Sequence, residues 1–137
     1  MKTYFDSSGL AKRYIKERGS DKVEEVLSRA SEIAISLVGP PEIVSALCRL
    51  QRQKAISGVQ YAMIKKRLFE DIEDISISNI TIPVAERAIG ILEEHPLRTM
   101  DALHVASALD WQADLFVTAD RRQAAAAEAS GLNVLLV

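Results

Sequence analysis

Short apolar runs of β type alternate with longer runs of helical apolar spacing along the whole chain, and this alternation limits the possible folds more than any other feature. Strands separated by helices return to the sheet by crossover rather than by hairpin, so they lie mostly parallel, with helices on both faces. The strand-like runs are Lys2 to Phe5, Ile33 to Val38, Ile75 to Ile82, Leu115 to Thr118 and Asn133 to Val137. Between them the pattern predicts a helix capped by Ser7 or Ser8 and running to about Glu17, and another capped by Ser20 over Asp21 to about Arg29. Gly39-Pro40-Pro41 starts the next helix, since proline is tolerated in a first turn, and Ile43, Val44, Leu47 and Leu50 mark its buried face. Further helices are expected over Val59 to about Asp74, Pro83 to about Glu94, Thr99 (as cap) to about Trp111, and Asp120 to Ser130, where Gly131 stops the helix.

No linker, repeat or low-complexity tract interrupts this pattern, so the 137 residues read as a single domain, 1–137, of α/β class. With 48% hydrophobic and 26% charged residues, such a chain can bury a core without staples. One cysteine, Cys48, excludes an intramolecular disulfide framework and a cysteine-based zinc site. No apolar run reaches the roughly 18 residues of a membrane span, and Met1 to Phe5 lead into Asp6 without a signal segment. The expected location is the cytoplasm.

In parallel α/β folds, ligands bind beyond the carboxyl ends of the strands, where strand order reverses. Four acids are expected at that edge: Asp6 after the first strand, Glu42 at a helix start, Asp101 in a first helical turn, and Asp120 after the fourth strand. If the first and fourth strands are neighbours, Asp6 and Asp120 meet, and Glu42 and Asp101 approach from either side. Helix dipoles relieve only about 0.3–1 kcal/mol each, far less than the repulsion among several anions a few ångströms apart. A hard divalent cation or proton uptake must compensate; the cation is the better reading, and oxygen-only ligands suit Mg²⁺ or Mn²⁺.

The formal net charge of −2 offers no general attraction to nucleic acid, but setting the four acids aside turns it to +2. Lys12, Arg13 and Lys16 follow Asp6, Arg49 and Arg52 follow Glu42, Arg98 precedes Asp101, and Arg121-Arg122 follow Asp120. Basic residues beside a metal site are what a phosphate backbone requires, although each one singly also reads as a solvated helix face.

Four segments then resemble the motifs of PIN-domain nucleases, and among these the VapC-type toxins: Tyr-Phe-Asp6-Ser-Ser-Gly-Leu-Ala-Lys, Pro-Pro-Glu42-Ile-Val-Ser-Ala-Leu, Leu-Arg-Thr-Met-Asp101-Ala-Leu-His-Val-Ala-Ser-Ala and Val-Thr-Ala-Asp120-Arg-Arg. The resemblance runs from Tyr4 to Val137, in matching order and spacing. It implies a PIN-like three-layer α/β/α sandwich with a central, mostly parallel sheet. It also implies a Mg²⁺- or Mn²⁺-dependent endoribonuclease acting as the toxin of a type II toxin–antitoxin pair, blocked by a cognate antitoxin, and a homodimer. By position, Asp6, Glu42, Asp101 and Asp120 match the family's metal-binding acids, and Thr118 matches a threonine that supports the site. Some members add a further acid, for which neither Asp110 nor Asp114 is placed.

Plainer readings stand beside these. A lone Asp after a strand is usually a turn or cap residue, and Thr118-Ala-Asp120 reads equally as a helix cap. His104, three residues after Asp101, could be a ligand or a base, but among Leu103, Val105 and Ala106 it reads better as a hydrogen-bonded packing residue. A phospho-acceptor receiver domain would show paired acids after its first strand and a lysine after its last; here Asp6 precedes Ser7-Ser8 and no lysine follows the last strand. A catalytically silent acidic pocket that receives an arginine-bearing arm, and an unpartnered PIN nuclease of RNA processing, are the remaining alternatives. A small DNA-binding antitoxin gene directly upstream is the signature that separates a toxin from the latter.

Overall fold

Five short strands form one parallel sheet in the computed structural model, which describes residues 1–137: β1 (Lys2–Phe5), β2 (Glu32–Ser36), β3 (Ser76–Ser78), β4 (Leu115–Thr118) and β5 (Val134–Leu136). Their spatial order is β3-β2-β1-β4-β5. The chain winds outward from β1 to β3, then crosses back to place β4 on the other side of β1. The reversal of strand order therefore falls between β1 and β4, as the acid pattern requires.

Seven helices cover the sheet: α1 (Ser7–Ala11), α2 (Ser20–Arg29), α3 (Gly39–Arg52), α4 (Gly58–Asp74), α5 (Ile82–Glu94), α6 (Thr99–Asp110) and α7 (Arg121–Ala129). Period-two alternation sends adjacent strand residues to opposite faces, and here both faces are dry. Tyr4, Ala34 and Phe116 pack under α5, α6 and α7 with Val84, Ala88 and Val105. Phe5, Ile35 and Val117 pack on the other face with Leu10 of α1, Val23 of α2, Leu47 of α3 and Leu68 of α4. The result is a three-layer α/β/α sandwich.

Two expected boundaries move. The first helix stops at Ala11, not near Glu17, because Lys12, Arg13 and Tyr14 donate three residues back, to Gly9, Leu10 and Ala11. That tightening turns Tyr14 into the core, where its hydroxyl donates to Asp71 at 2.7 Å, and sends Arg13 to the same carboxylate at 2.8 Å. The third strand keeps only Ser76–Ser78 of the expected Ile75 to Ile82. Its sole partner, β2, ends at Ser36 opposite Ser78, and Thr81 then caps α5, so the Ile80 and Ile82 alternation has no strand to pair with. Smaller shifts put Gly19 and Arg98, rather than Ser20 and Thr99, at helix caps.

The α1 segment crosses β4 closely. A Cβ added at Gly9 would lie 2.8 Å from the Val117 carbonyl oxygen and 3.2 Å from Asp6 Oδ1, whereas one at Gly90, inside α5, meets nothing within 4 Å. Gly9→Ala should therefore destabilise the fold by about 1–3 kcal/mol through overpacking against backbone. Gly90→Ala should stabilise it by about 0.4–1 kcal/mol by restricting the unfolded chain. Urea unfolding midpoints measure both, and the two shifts should have opposite sign.

Candidate active site

The ladder between β1 and β4 continues one step past the strand end, with the Asp6 N–H donating to the Val117 carbonyl at 3.1 Å. This fixes Asp6 as the N-cap of α1. Its Oδ1 accepts from the Gly9 N–H at 2.8 Å, and Ser8 Oγ and Thr118 Oγ1 each approach Oδ2 to 2.7 Å. The carboxylate is only 2% exposed. Burial pushes its pKa above the usual carboxylate range, and the His104 ring, Thr118, Gly9 and Ser8 pull it back only in part.

Asp120 caps α7 in the same manner, its Oδ1 accepting from the N–H groups of Arg122 at 2.8 Å and Gln123 at 3.2 Å. Both residues are thus helix caps that also line one cavity. Thr118 joins them: its hydroxyl donates to Asp6 and accepts from the Asp120 N–H at 3.0 Å.

Glu42 stands in the first turn of α3, which the Pro40-Pro41 pair opens. Its Oε1 accepts from Ser7 Oγ at 2.8 Å and lies 2.5 Å from His104 Nε2. Burial pushes the Glu42 carboxyl up, but the hydrogen bond and attraction of His104, with Ser7 and Arg98, outweigh it and hold the pKa below the usual range. Asp101, in the first turn of α6, shifts the other way: burial raises it first, the charge of Asp120 raises it further, and Arg98 at 3.6 Å and His104 only partly oppose them.

All four acids line one cavity of about 540 Å³, together with Ser7, Ser8, Arg49, Arg98, His104 and Gln123. As the side chains stand, no three carboxylate, imidazole or thiolate groups converge closely enough to hold an ion. The protein's own donors account for this, since both Asp6 oxygens, Glu42 Oε1 and Asp120 Oδ1 are already engaged. Glu42 Oε2 and Asp120 Oδ2 have no protein donor. The donor set is nevertheless all hard oxygen, and the mutual repulsion of Asp101 and Asp120 is of the kind a divalent cation relieves, so the chemistry fits Mg²⁺ or Mn²⁺.

Basic residues do not flank every acid. Arg49 and Arg98 line the cavity, and Arg98, Arg121 and Arg122 line an adjoining hollow beside Asp101 and Asp120. Arg13, however, turns away to Asp71 and Glu24, and Lys12 donates to the Arg18 carbonyl and pairs with Glu17. His104 is 2% exposed and hydrogen-bonded, as its apolar neighbours and its spacing from Asp101 suggest, and its partners are Glu42 and Ser7 at the cavity. One lining residue escapes sequence reasoning. Gln123, 1% exposed, donates to the Asp101 carbonyl at 3.0 Å and faces Thr118 Oγ1 at 3.3 Å, and nothing in its Arg-Gln-Ala context announces that role.

Compared with known families, the PIN domain model matches residues 3–129, nearly the whole chain. The chain belongs to the PIN domain family. No curated protein matches it significantly in sequence. Among solved structures, this PIN domain is similar to a toxin–antitoxin complex from Klebsiella pneumoniae, with 19% identity, TM-score 0.70, and 97% of this chain and 95% of that one covered. FitAcB from Neisseria gonorrhoeae aligns at 16% identity and TM-score 0.71 over 97% and 96% of the two chains. VapC20 from Mycobacterium tuberculosis, a sarcin-ricin loop cleaving toxin, aligns at 13% identity and TM-score 0.69 over 95% of each. At these identities the likeness is one of fold.

The raised pKa of Asp101 means that its ionisation costs stability. Its favourable, protonated contribution is complete below the ordinary carboxylate pKa and is lost as pH rises through the folded-state value. In chelator at pH 7, Asp101→Asn should therefore melt above the parent, and the gain should vanish near about pH 3, where both forms are neutral. Thermal melts across pH test this; a variant less stable than the parent at pH 7 would make Asp101 a structural cap.

Proposed function

We propose that this PIN domain is a Mg²⁺- or Mn²⁺-dependent endoribonuclease that serves as the toxin of a type II toxin–antitoxin pair. The observation that carries the reading is the set of four carboxylates, delivered by four separate segments to one cavity at the β1–β4 reversal, with the charge of Asp120 adding to the cost of ionising Asp101. Asp6, Glu42, Asp101 and Asp120 would hold the cation. Bound there, it would supply Lewis acidity, lowering the pKa of a water and polarising the phosphodiester under attack. The chain's own residues do the rest. Thr118 and Ser8 fix Asp6, while Arg49 and Arg98 at the cavity, with Arg121 and Arg122 beside it, attract and orient the phosphate backbone.

The toxin assignment draws on structural neighbours described as toxin–antitoxin complexes or as an RNA-cleaving toxin. It adds a cognate antitoxin that covers the cavity, a homodimer and a cytoplasmic setting; no helix is long and apolar enough to cross a membrane. Single strands or loops of RNA are the expected substrates, because their bases and backbone are accessible.

Cleavage of a loop-containing RNA should require Mg²⁺ or Mn²⁺, stop in excess chelator, and leave a 3′-hydroxyl and a 5′-phosphate, as hydrolysis by water demands. Asp6→Asn should lose nearly all of it while remaining folded. Product-end analysis with and without chelator is the test: activity undiminished in chelator would remove the metal from the mechanism, and a cyclic phosphate product would assign the attack to the RNA 2′-hydroxyl.

A further inference from the structure

The contacts of His104 go beyond core packing. Its Nε2 lies 2.5 Å from Glu42 Oε1 and 3.2 Å from Ser7 Oγ, while Ser7 Oγ itself donates to Glu42 Oε1 at 2.8 Å. A carboxylate oxygen can only accept, and the Ser7 proton is already directed at that oxygen. Both neighbours of Nε2 therefore offer lone pairs, and Nε2 carries the proton. The ring is 2% exposed and stands edge-on to Tyr4, with centroids 6.4 Å apart and planes at 68°, so packing fixes its plane. Its other nitrogen, Nδ1, is buried without any partner.

These facts exclude the two more familiar roles. A protonated Nε2 engaged with Glu42 and Ser7 is not free to ligate a cation or to accept a proton from water, and Nδ1 is sealed in the core. An apolar side chain would fill the same space without stranding a nitrogen, so the value of a histidine here lies in its Nε2 contacts. Glu42 has three side-chain torsions and is about one-third exposed; two donors on Oε1 hold it in one pose and leave Oε2 without a protein donor. Ser7 belongs to α1, Glu42 to α3, and His104 to α6, one helical turn from Asp101. One imidazole thus ties together the segments that carry Asp6, Glu42 and Asp101.

We infer that His104 is a positioning residue: with Ser7 it fixes the Glu42 carboxylate against α6 and so sets the spacing between the Glu42 and Asp101 groups that would receive the cation. The inference rests on the nuclease reading, but its direct readout is metal affinity rather than cleavage alone.

The probe is Mn²⁺, titrated calorimetrically into the full chain, with kcat and KM measured on a loop-containing RNA. His104→Leu should weaken Mn²⁺ binding and lower kcat roughly 10–100-fold, the usual effect of losing a group that orients a ligand, with RNA KM changed by less than about threefold. His104→Gln, which keeps an N–H near the Nε2 position, should restore most of both. In a Glu42→Ala background, His104→Leu should cost no further Mn²⁺ affinity, because its effect passes through Glu42. If His104→Leu fails to fold, Ser7→Ala, which removes the other donor to Oε1, carries the test and should weaken Mn²⁺ binding in the same direction. A folded His104→Leu with parental Mn²⁺ affinity, a parental Ser7→Ala, or equal losses with and without Glu42 would overturn the inference while leaving the nuclease reading intact. A parent chain that neither binds Mn²⁺ nor cuts RNA would overturn both.

Discussion

The hydrogen bonds that meet the buried Asp6 carboxylate hold together the parts of the fold that make the site. At 2% exposure an ionised carboxylate needs donors from its own chain, and Gly9, Ser8 and Thr118 provide them. Each donor brings a different constraint. Gly9 makes Asp6 the cap of α1 and demands a residue with no side chain where α1 crosses the Val117 carbonyl. Thr118 requires β4 to lie beside β1, which is the strand reversal itself, and in turn accepts from the Asp120 N–H. Strand order, the first helix and the placing of two acids thus follow from satisfying one charge.

Ionising Asp6 and Asp101 runs against the preference of the fold. Burial raises both Asp6 and Asp101, and Asp120 adds to the cost at Asp101, whereas Glu42 is stabilised by His104 and Ser7. A protein selected only for stability would not gather four carboxylates around one cavity. The arginines temper the repulsion from the rim: Arg98 lies 3.6 Å from Asp101 but is itself largely exposed, so its screening by solvent keeps the pair weak. Repulsion retained inside a concave, partly basic site is a physical mark of function.

Much of this was legible from sequence because it depends on period and order. The β1 and β4 runs, the proline-led start of α3 and the four acids at strand ends and helix starts follow from local patterns, and the structure brings Asp6, Glu42, Asp101 and Asp120 to one cavity. The errors share a cause, which is that tertiary partners decided the outcome. Arg13 and Lys12 sit in sequence where a phosphate groove would use them, but Asp71, Glu24 and the Arg18 carbonyl claim them. The Ile80–Ile82 alternation is a good strand pattern with no strand opposite it. The sequence marks His104 as a hydrogen-bonded packing residue without naming its partner, and gives no sign of Gln123, since a single sequence does not show which buried group faces a side chain or carbonyl of another helix. For Asp6 and Asp120 a cap does not compete with a place at the cavity, since each caps a helix and lines it.

If Asp6, Glu42, Asp101 and Asp120 together hold one divalent cation, its arrival must draw together side chains that do not otherwise converge on an ion. Anomalous diffraction from crystals soaked in Mn²⁺ tests it most directly. A strong anomalous peak is expected in the cavity among Asp6, Glu42, Asp101 and Asp120, and none in Asp6→Asn crystals soaked alike. No peak there at saturating Mn²⁺, or an equal peak in Asp6→Asn, would contradict it.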